Sequence, residues 1–223
     1  MRQTIPLYRD RTAAGSVLAE KLLKYAGQNV AIFGVGASGV LVAAPVADAL
    51  GADLDVLAVR QLTRPGQPDQ AWGAVAVLGD CVQIVAEQHS ERQRPRSAEL
   101  TDTVRQRDLT QLRQLENTYR AGRPPEQVTG RLVIVVGDGL TSLATMRAAV
   151  SAVRRHHPAR LVIALPTGTP QVRQMLSQAA DEVVCSLTPG LLHAESVYSE
   201  NAGISVGDVR RLLCAQAAGA TTA

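Results

Sequence analysis

The sequence predicts an α/β fold, a doubly wound parallel sheet flanked by helices, with a small hood or flap excursion. Two uniformly apolar runs, RLVIVV (131–136) and RLVIAL (160–165), suit strands covered on both faces. Such runs alternate with segments of helical period, the βαβ order whose crossovers build a parallel sheet. Composition agrees: the 223 residues are 46% hydrophobic but only 3% aromatic, with 18 glycines, which favours close helix-on-sheet packing.

The elements come in this order. Residues 12–26 read as an amphipathic helix with Val17, Leu18, Leu22 and Leu23 on one side. NVAIF (29–33) is a strand, 39–50 a helix ended by Gly51, and LDVLAVR (54–60) a second strand. TRPGQPDQ (63–70) reads as a loop by its prolines and glycine. AWGAVAVL and CVQIVAEQ suggest a hairpin joined at Gly79-Asp80, and 97–119 a long charged helix ended by GRPP (122–125). Residues 61–128 are therefore expected to leave the sheet as a mobile flap. Helices near 143–156 and 169–179 bracket the strand at 160–165, and EVVCSL (182–187) comes next. One domain over 1–214 is expected, with 187–214 contributing to a hood and a disordered tail at 215–223.

Several function classes are disfavoured. The net charge is only +3, and the basic residues are arginine except for Lys21 and Lys24. Arginines between 92 and 123 alternate with Glu91, Glu99, Asp102, Asp108 and Glu116, and Tyr119 is their only aromatic neighbour. That pattern reads as a solvated helix face rather than a nucleic-acid groove. The longest apolar run, VLVAAPVADAL, is broken by Pro45 and Asp48 and is too short to span a bilayer. Cys81, Cys185 and Cys214 form no CxxC and read as packed thiols of a reducing compartment. A cytoplasmic protein without membrane or nucleic-acid partners is expected.

Two glycine-bearing turns compete for a ligand. GVGASG (34–39) sits after a strand and before a helix, as a dinucleotide fingerprint would. The acid such a fingerprint wants at the end of the next strand is Arg60, which would suit only NADP. The second turn is GDGLTSLAT, from Gly137 to Thr145. Free N–H groups at a helix start beside Thr141, Ser142 and Thr145 make an anion site. Asp138 just before it suits the vicinal hydroxyls of a sugar. The plainer alternative is a capping cluster with Thr141 or Ser142 as the cap and no ligand.

This strand–acid–hydroxyl loop resembles the phosphoribosyl-diphosphate (PRPP) signature of type I phosphoribosyltransferases: Asp-Asp, two positions, then Thr-Gly-x-Thr. The resemblance covers most of the chain and points to a bacterial branch of uncharacterised members. It is carried also by YRDRTAAGSVLAEKL (8–22), GADLDVLAVRQLTRPGQPDQAWGAVA (51–76), TYRAGRPP (118–125) and LTPGLLHAESVY (187–198). It implies binding of PRPP or another phosphorylated ribose or nucleotide, with Asp138 as the catalytic acid. Gly137 and Asp138 would lie at the ribose. Thr141, Ser142, Leu143, Ala144 and Thr145 would hold the phosphate, and Ala37, Ser38, Gly39 and Arg60 would lie near pyrophosphate. Mg2+ would arrive with PRPP, the protein supplying no metal site alone, and a homodimer stays open. Tyr198 would form part of a hood over the base, whereas His193 reads as a surface or packing residue. His156 and His157 read as contacts to helix C-terminal carbonyls.

The departures from the signature bear on chemistry. The first aspartate is Gly137, the signature glycine is Leu143, and no arginine stands in the loop around Ala37 and Ser38. Each lost charge-assisted hydrogen bond is worth about 1.5–3 kcal/mol. Leucine for glycine costs roughly 1–2 kcal/mol if the backbone there is left-handed, and otherwise crowds the phosphate. Weak transferase chemistry is expected, with a non-catalytic phosphosugar-binding regulator or partner subunit as the alternative. Gly137→Asp, Leu143→Gly and Ala37→Arg together are expected to restore PRPP binding.

Overall fold

The computed structural model describes residues 6–64, 67–87, 98–190 and 197–220. His193 and residues 221–223 of the expected tail lie outside them. The chain runs α1 (Arg11–Leu22), β1 (Val30–Val35), α2 (Gly36–Leu50), β2 (Asp53–Arg64), β3 (Gln67–Leu78), β4 (Cys81–Ala86) and α3 (Ala98–Arg120). It continues through β5 (Leu132–Val136), α4 (Leu143–Arg154), β6 (Arg160–Thr167), α5 (Pro170–Leu176), β7 (Glu182–Leu187) and α6 (Val206–Ala220).

Among the described residues, seven strands form one sheet in the order β4-β3-β2-β1-β5-β6-β7. The five strands β2, β1, β5, β6 and β7 pair in parallel, as their two-sided apolar runs require. β3 and β4 join antiparallel at the β2 edge, so the sheet is mixed. The hairpin turns at Gly79, whose φ of 56° is left-handed.

The middle of the chain differs from expectation. The hairpin extends the sheet, and residues 63, 64 and 67–70 are strand, with register shifts at Leu62/Thr63 and Thr63/Arg64. Such shifts let a ribbon bend and accommodate a proline outside regular pairing. Nor is α3 weakly anchored. Trp72, Val75, Val77, Ala58, Leu62 and Leu112 form a buried cluster between it and the sheet. At its end, Arg120 donates from Nε to both oxygens of Asp55 at 2.8 and 3.0 Å and from Nη2 to the Val56 carbonyl at 2.7 Å. It also pairs with Glu116, and all three ionic side chains are buried. The charged helix is thus tied by buried ions that apolar periodicity does not reveal.

Two further cores cover the faces of the sheet. One packs α1, α2 and α6 through Leu18, Leu22, Val42, Val46, Val209 and Leu213. The other packs α4 through Met146, Ala149, Val150 and Val153. α6 continues to Ala220, past the expected end of order at 214. Its alanine-rich end has high intrinsic helix propensity, which offsets the lack of a clear apolar stripe.

Candidate functional site

The site is built where β5 delivers the chain at its carboxyl end. Val136 ends the strand, Gly137 to Thr141 form a loop, and Ser142 caps α4, its hydroxyl accepting from Thr145 N at 3.2 Å. The Ser142 and Thr145 hydroxyls are 2.9 Å apart. A helix start leaves four N–H groups without intrahelical acceptors, here those of residues 142–145. The turn is thus a capping cluster whose cap takes one of the four N–H groups.

Asp138 organises the loop from within. Its Oδ1 accepts from Leu140 N at 3.0 Å, Thr141 N at 2.9 Å and Thr141 Oγ1 at 2.8 Å. Its Oδ2 accepts from Arg11 Nη2 at 3.3 Å and Nε at 3.4 Å. The residue is only 4% exposed. Five donors on one carboxylate fill it, since two oxygens offer about four lone-pair positions.

Arg11, at the first position of α1, ties the two ends of the domain together. Its Nη1 donates to Asn201 Oδ1 at 2.7 Å, and its guanidinium carbon lies 4.9 Å from the centre of the Tyr198 ring. Tyr198 donates to the Asp138 carbonyl at 2.5 Å, and Tyr8 donates to the Pro166 carbonyl at 2.7 Å. Tyr8 and Tyr198 make a parallel bridge with ring centres 6.3 Å apart. Burial raises the Tyr198 phenol far above its usual range, and the Asp138 charge adds to that. Thr167, at the end of β6, is fully buried, and its Oγ1 has no hydrogen-bond partner among the described residues.

The substituted positions have steric reasons. A Cβ on Gly137 would lie 2.8 Å from Leu165 Cδ2 and 2.9 Å from Met146 Sδ. Two apolar side chains thus crowd the direction that an aspartate there would take. Leu143 is not left-handed; it stands in the first turn of α4 and packs against the core beneath it. The left-handed cost therefore does not apply to Leu143.

The first loop is shorter than expected. α2 begins at Gly36, three residues earlier, so Ala37, Ser38 and Gly39 form its first turn. A Cβ on Gly34 would meet Val40 N at 2.5 Å, and one on Gly39 would meet Val136 O at 2.7 Å. These glycines permit close crossing of β1, α2 and β5, whether or not a phosphate binds. Arg60 pairs with Asp108 of α3 at 3.2 Å. His156 reaches the Leu78 carbonyl at 3.2 Å from its ring, so it tethers β3 rather than a helix end.

Sequence reasoning singles out 137–145, which form one loop and helix start, and misses Arg11, Asn201 and Thr167. The signal for Arg11 is its place in YRDR, immediately after Asp10, which caps α1 by accepting from Ala13 N at 2.7 Å. An arginine in the first turn opposes the helix dipole and needs a nearby acid.

A family model described as the phosphoribosyl transferase domain matches residues 10–189. Two Mycobacterium tuberculosis proteins, one from each of two strains, carry the provisional name of phosphoribosyl transferase. Each is 37% identical over 193 residues, covering 84% of this chain and 42% of its own length. The chain thus spans less than half of those curated relatives. The crystal structure of TT1426 from Thermus thermophilus is similar with a TM-score of 0.74 and 33% identity, over 94% of this chain and 98% of that one.

Proposed function

This chain belongs to the phosphoribosyltransferase family, and we propose that it binds PRPP or another phosphorylated ribose at 137–145 with little or no transferase activity. The observation that carries this reading is the single carboxylate of Asp138 beside a Gly137 whose side-chain direction is crowded by Met146 and Leu165. In the binding mode proposed, one oxygen of Asp138 takes a ribose hydroxyl. The N–H groups and hydroxyls of Thr141, Ser142 and Thr145 take the 5′-phosphate. Leaving-group departure from a ribose builds positive charge at the anomeric carbon, and placed negative charge is what accelerates it. One acid already held by five donors supplies little of that charge.

Magnesium fits this site only as a passenger. Among the described residues no group of three or more His, Cys, Asp or Glu side chains could hold a metal. The ion would enter on the diphosphate of the ligand, and the protein's own role is to orient the ribose. Titration calorimetry with PRPP and magnesium, then a pyrophosphate-release assay over a panel of bases, tests both halves of the proposal. Micromolar PRPP binding without turnover supports it. Turnover at ordinary enzyme rates rejects the weak-chemistry half, and absence of binding rejects the site.

A dinucleotide is the weaker reading. Gly34 and Gly39 are explained by packing, and Arg60 is engaged by Asp108. Heat protection by NADP, lost in Arg60→Ala, would restore it.

A further inference from the structure

One guanidinium covers both features that a nucleoside would use. Arg11 donates to Asp138 Oδ2, where a ribose diol would bind, and lies over the ring of Tyr198, where a base would stack. A guanidinium is planar, stacks on aromatic faces and presents directed N–H donors, so it imitates a stacked base joined to a diol. We infer that Arg11 is a latch that occupies the nucleoside position, and that a nucleotide is the ligand class that displaces it. This rests on the reading that the 137–145 loop binds a phosphorylated ribose.

The distances say which contact yields. The bonds to Oδ1 are 2.8–3.0 Å and come from the loop itself, so losing them would unfold the turn. The Arg11 contacts to Oδ2 are 3.3 and 3.4 Å, beyond the 2.7–2.9 Å or so of a strong charge-assisted bond. They come from another element, α1, whose side chain can turn away without moving the helix. Arg11 is therefore the donor that leaves. A base-free phosphosugar replaces only its bond to Asp138 and leaves the Tyr198 ring uncovered. A nucleotide replaces both contacts, so it is preferred.

The latch also closes the fold over the site. Arg11 holds Asn201, and the neighbouring Ser199 and Glu200 amides donate to the Tyr8 and Arg9 carbonyls at 3.0 and 2.7 Å. Release of Arg11 should loosen this seam in the absence of any ligand.

The test titrates wild type, Arg11→Gln and Asn201→Ala with ribose 5-phosphate, adenosine 5′-monophosphate and uridine 5′-monophosphate, and tracks amide exchange at Ser199 and Glu200. Asn201→Ala removes the exposed tether alone and serves where Arg11→Gln fails to fold. The expected result is that Arg11→Gln binds all three probes about ten-fold more tightly, the equivalent of about 1.4 kcal/mol. The monophosphates should bind more tightly than the sugar phosphate in every variant, and Tyr198→Leu should erase that preference. Equal or weaker binding by Arg11→Gln overturns the latch. If no protein binds any probe but exchange at the seam rises ten-fold in Arg11→Gln, the ribose reading falls and Arg11 is a tether of the seam rather than a nucleoside latch. If neither binding nor exchange changes, both fall.

Discussion

The hydroxyl of Tyr198 donates to the main-chain oxygen of Asp138 at 2.5 Å, across 60 positions of sequence. The bond joins the segment after β7 to the loop after β5. It requires the phenol to remain protonated, and burial with the adjacent Asp138 charge raises its pKa. Tyr8, Tyr25 and Tyr119 are raised as well, burial being the largest cause in each. Those are all four tyrosines of the chain. A raised folded-state pKa contributes stability that is complete below the unfolded value of 10.0 and is lost as pH climbs towards the folded value. Absorbance at 295 nm should thus rise together with the loss of helical circular dichroism above pH 10 or so. Tyrosines ionising near that pH while the fold stays intact would contradict the buried hydroxyl network.

Arg120 should be the most costly surface-helix residue to lose. Its guanidinium neutralises Asp55 and Glu116, and the ionic side chains are each 4–6% exposed. Removing one partner of a buried ion network leaves uncompensated charge and costs about 3–5 kcal/mol. Arg120→Ala should therefore lower the urea midpoint sharply. Arg113→Ala, at an exposed position of the same helix, is the control and should change little. A loss under about 1 kcal/mol for Arg120→Ala would mean the cluster is solvated.

Features set by period and by local chemistry are legible in the sequence. RLVIVV and RLVIAL are strands, and Ser142 caps α4, because strand burial and capping depend on neighbours in the chain. The loop acid Asp138 is visible for the same reason. Features that stay hidden depend on partners far apart. The Arg11–Asp138 contact spans 127 positions and the Arg120–Asp55 pair spans 65, and neither leaves a periodic trace. The direction of the Gly137 side-chain position is also hidden, because a glycine carries no sign of which face it would present. Arg60 matches the expected sequence position, yet its partner is Asp108 of α3, 48 positions away, which no periodicity announces.

Gly137→Asp should therefore disrupt the fold before it improves the site. The new Cβ meets Leu165 Cδ2 at 2.8 Å and Met146 Sδ at 2.9 Å, both flexible tips that can move aside. The carboxylate then enters among apolar groups, where an unpaired polar group costs about 1–3 kcal/mol. This revises the expectation that Gly137→Asp, Leu143→Gly and Ala37→Arg simply restore PRPP binding. Met146→Ala in the Gly137→Asp background should recover part of the lost stability by making room. The check is a double-mutant cycle by chemical denaturation, with PRPP titration of each variant. Full stability of Gly137→Asp alone would show that the side chain finds the solvent-facing site.

Gly139 and Gly27 offer a matched comparison for the loop itself. Both are left-handed, with φ of 80° and 74°. At Gly27 a Cβ would meet nothing within 4 Å, so Gly27→Ala carries only the backbone cost of roughly 1–2 kcal/mol. At Gly139 a Cβ would lie 2.7 Å from Thr167 Cγ2 and 3.0 Å from the Thr167 carbonyl oxygen. The carbonyl belongs to β6 and cannot yield as a side-chain tip can, so the loop must lift. Lifting it moves Asp138 away from Arg11 and frees the buried Thr167 hydroxyl to find a partner. Gly139→Ala should therefore cost at least about 1 kcal/mol more than Gly27→Ala and should also weaken phosphosugar binding, which Gly27→Ala leaves unchanged. Paired melts with ribose 5-phosphate titration decide it. Equal losses at the two glycines would mean the loop rides free of Thr167.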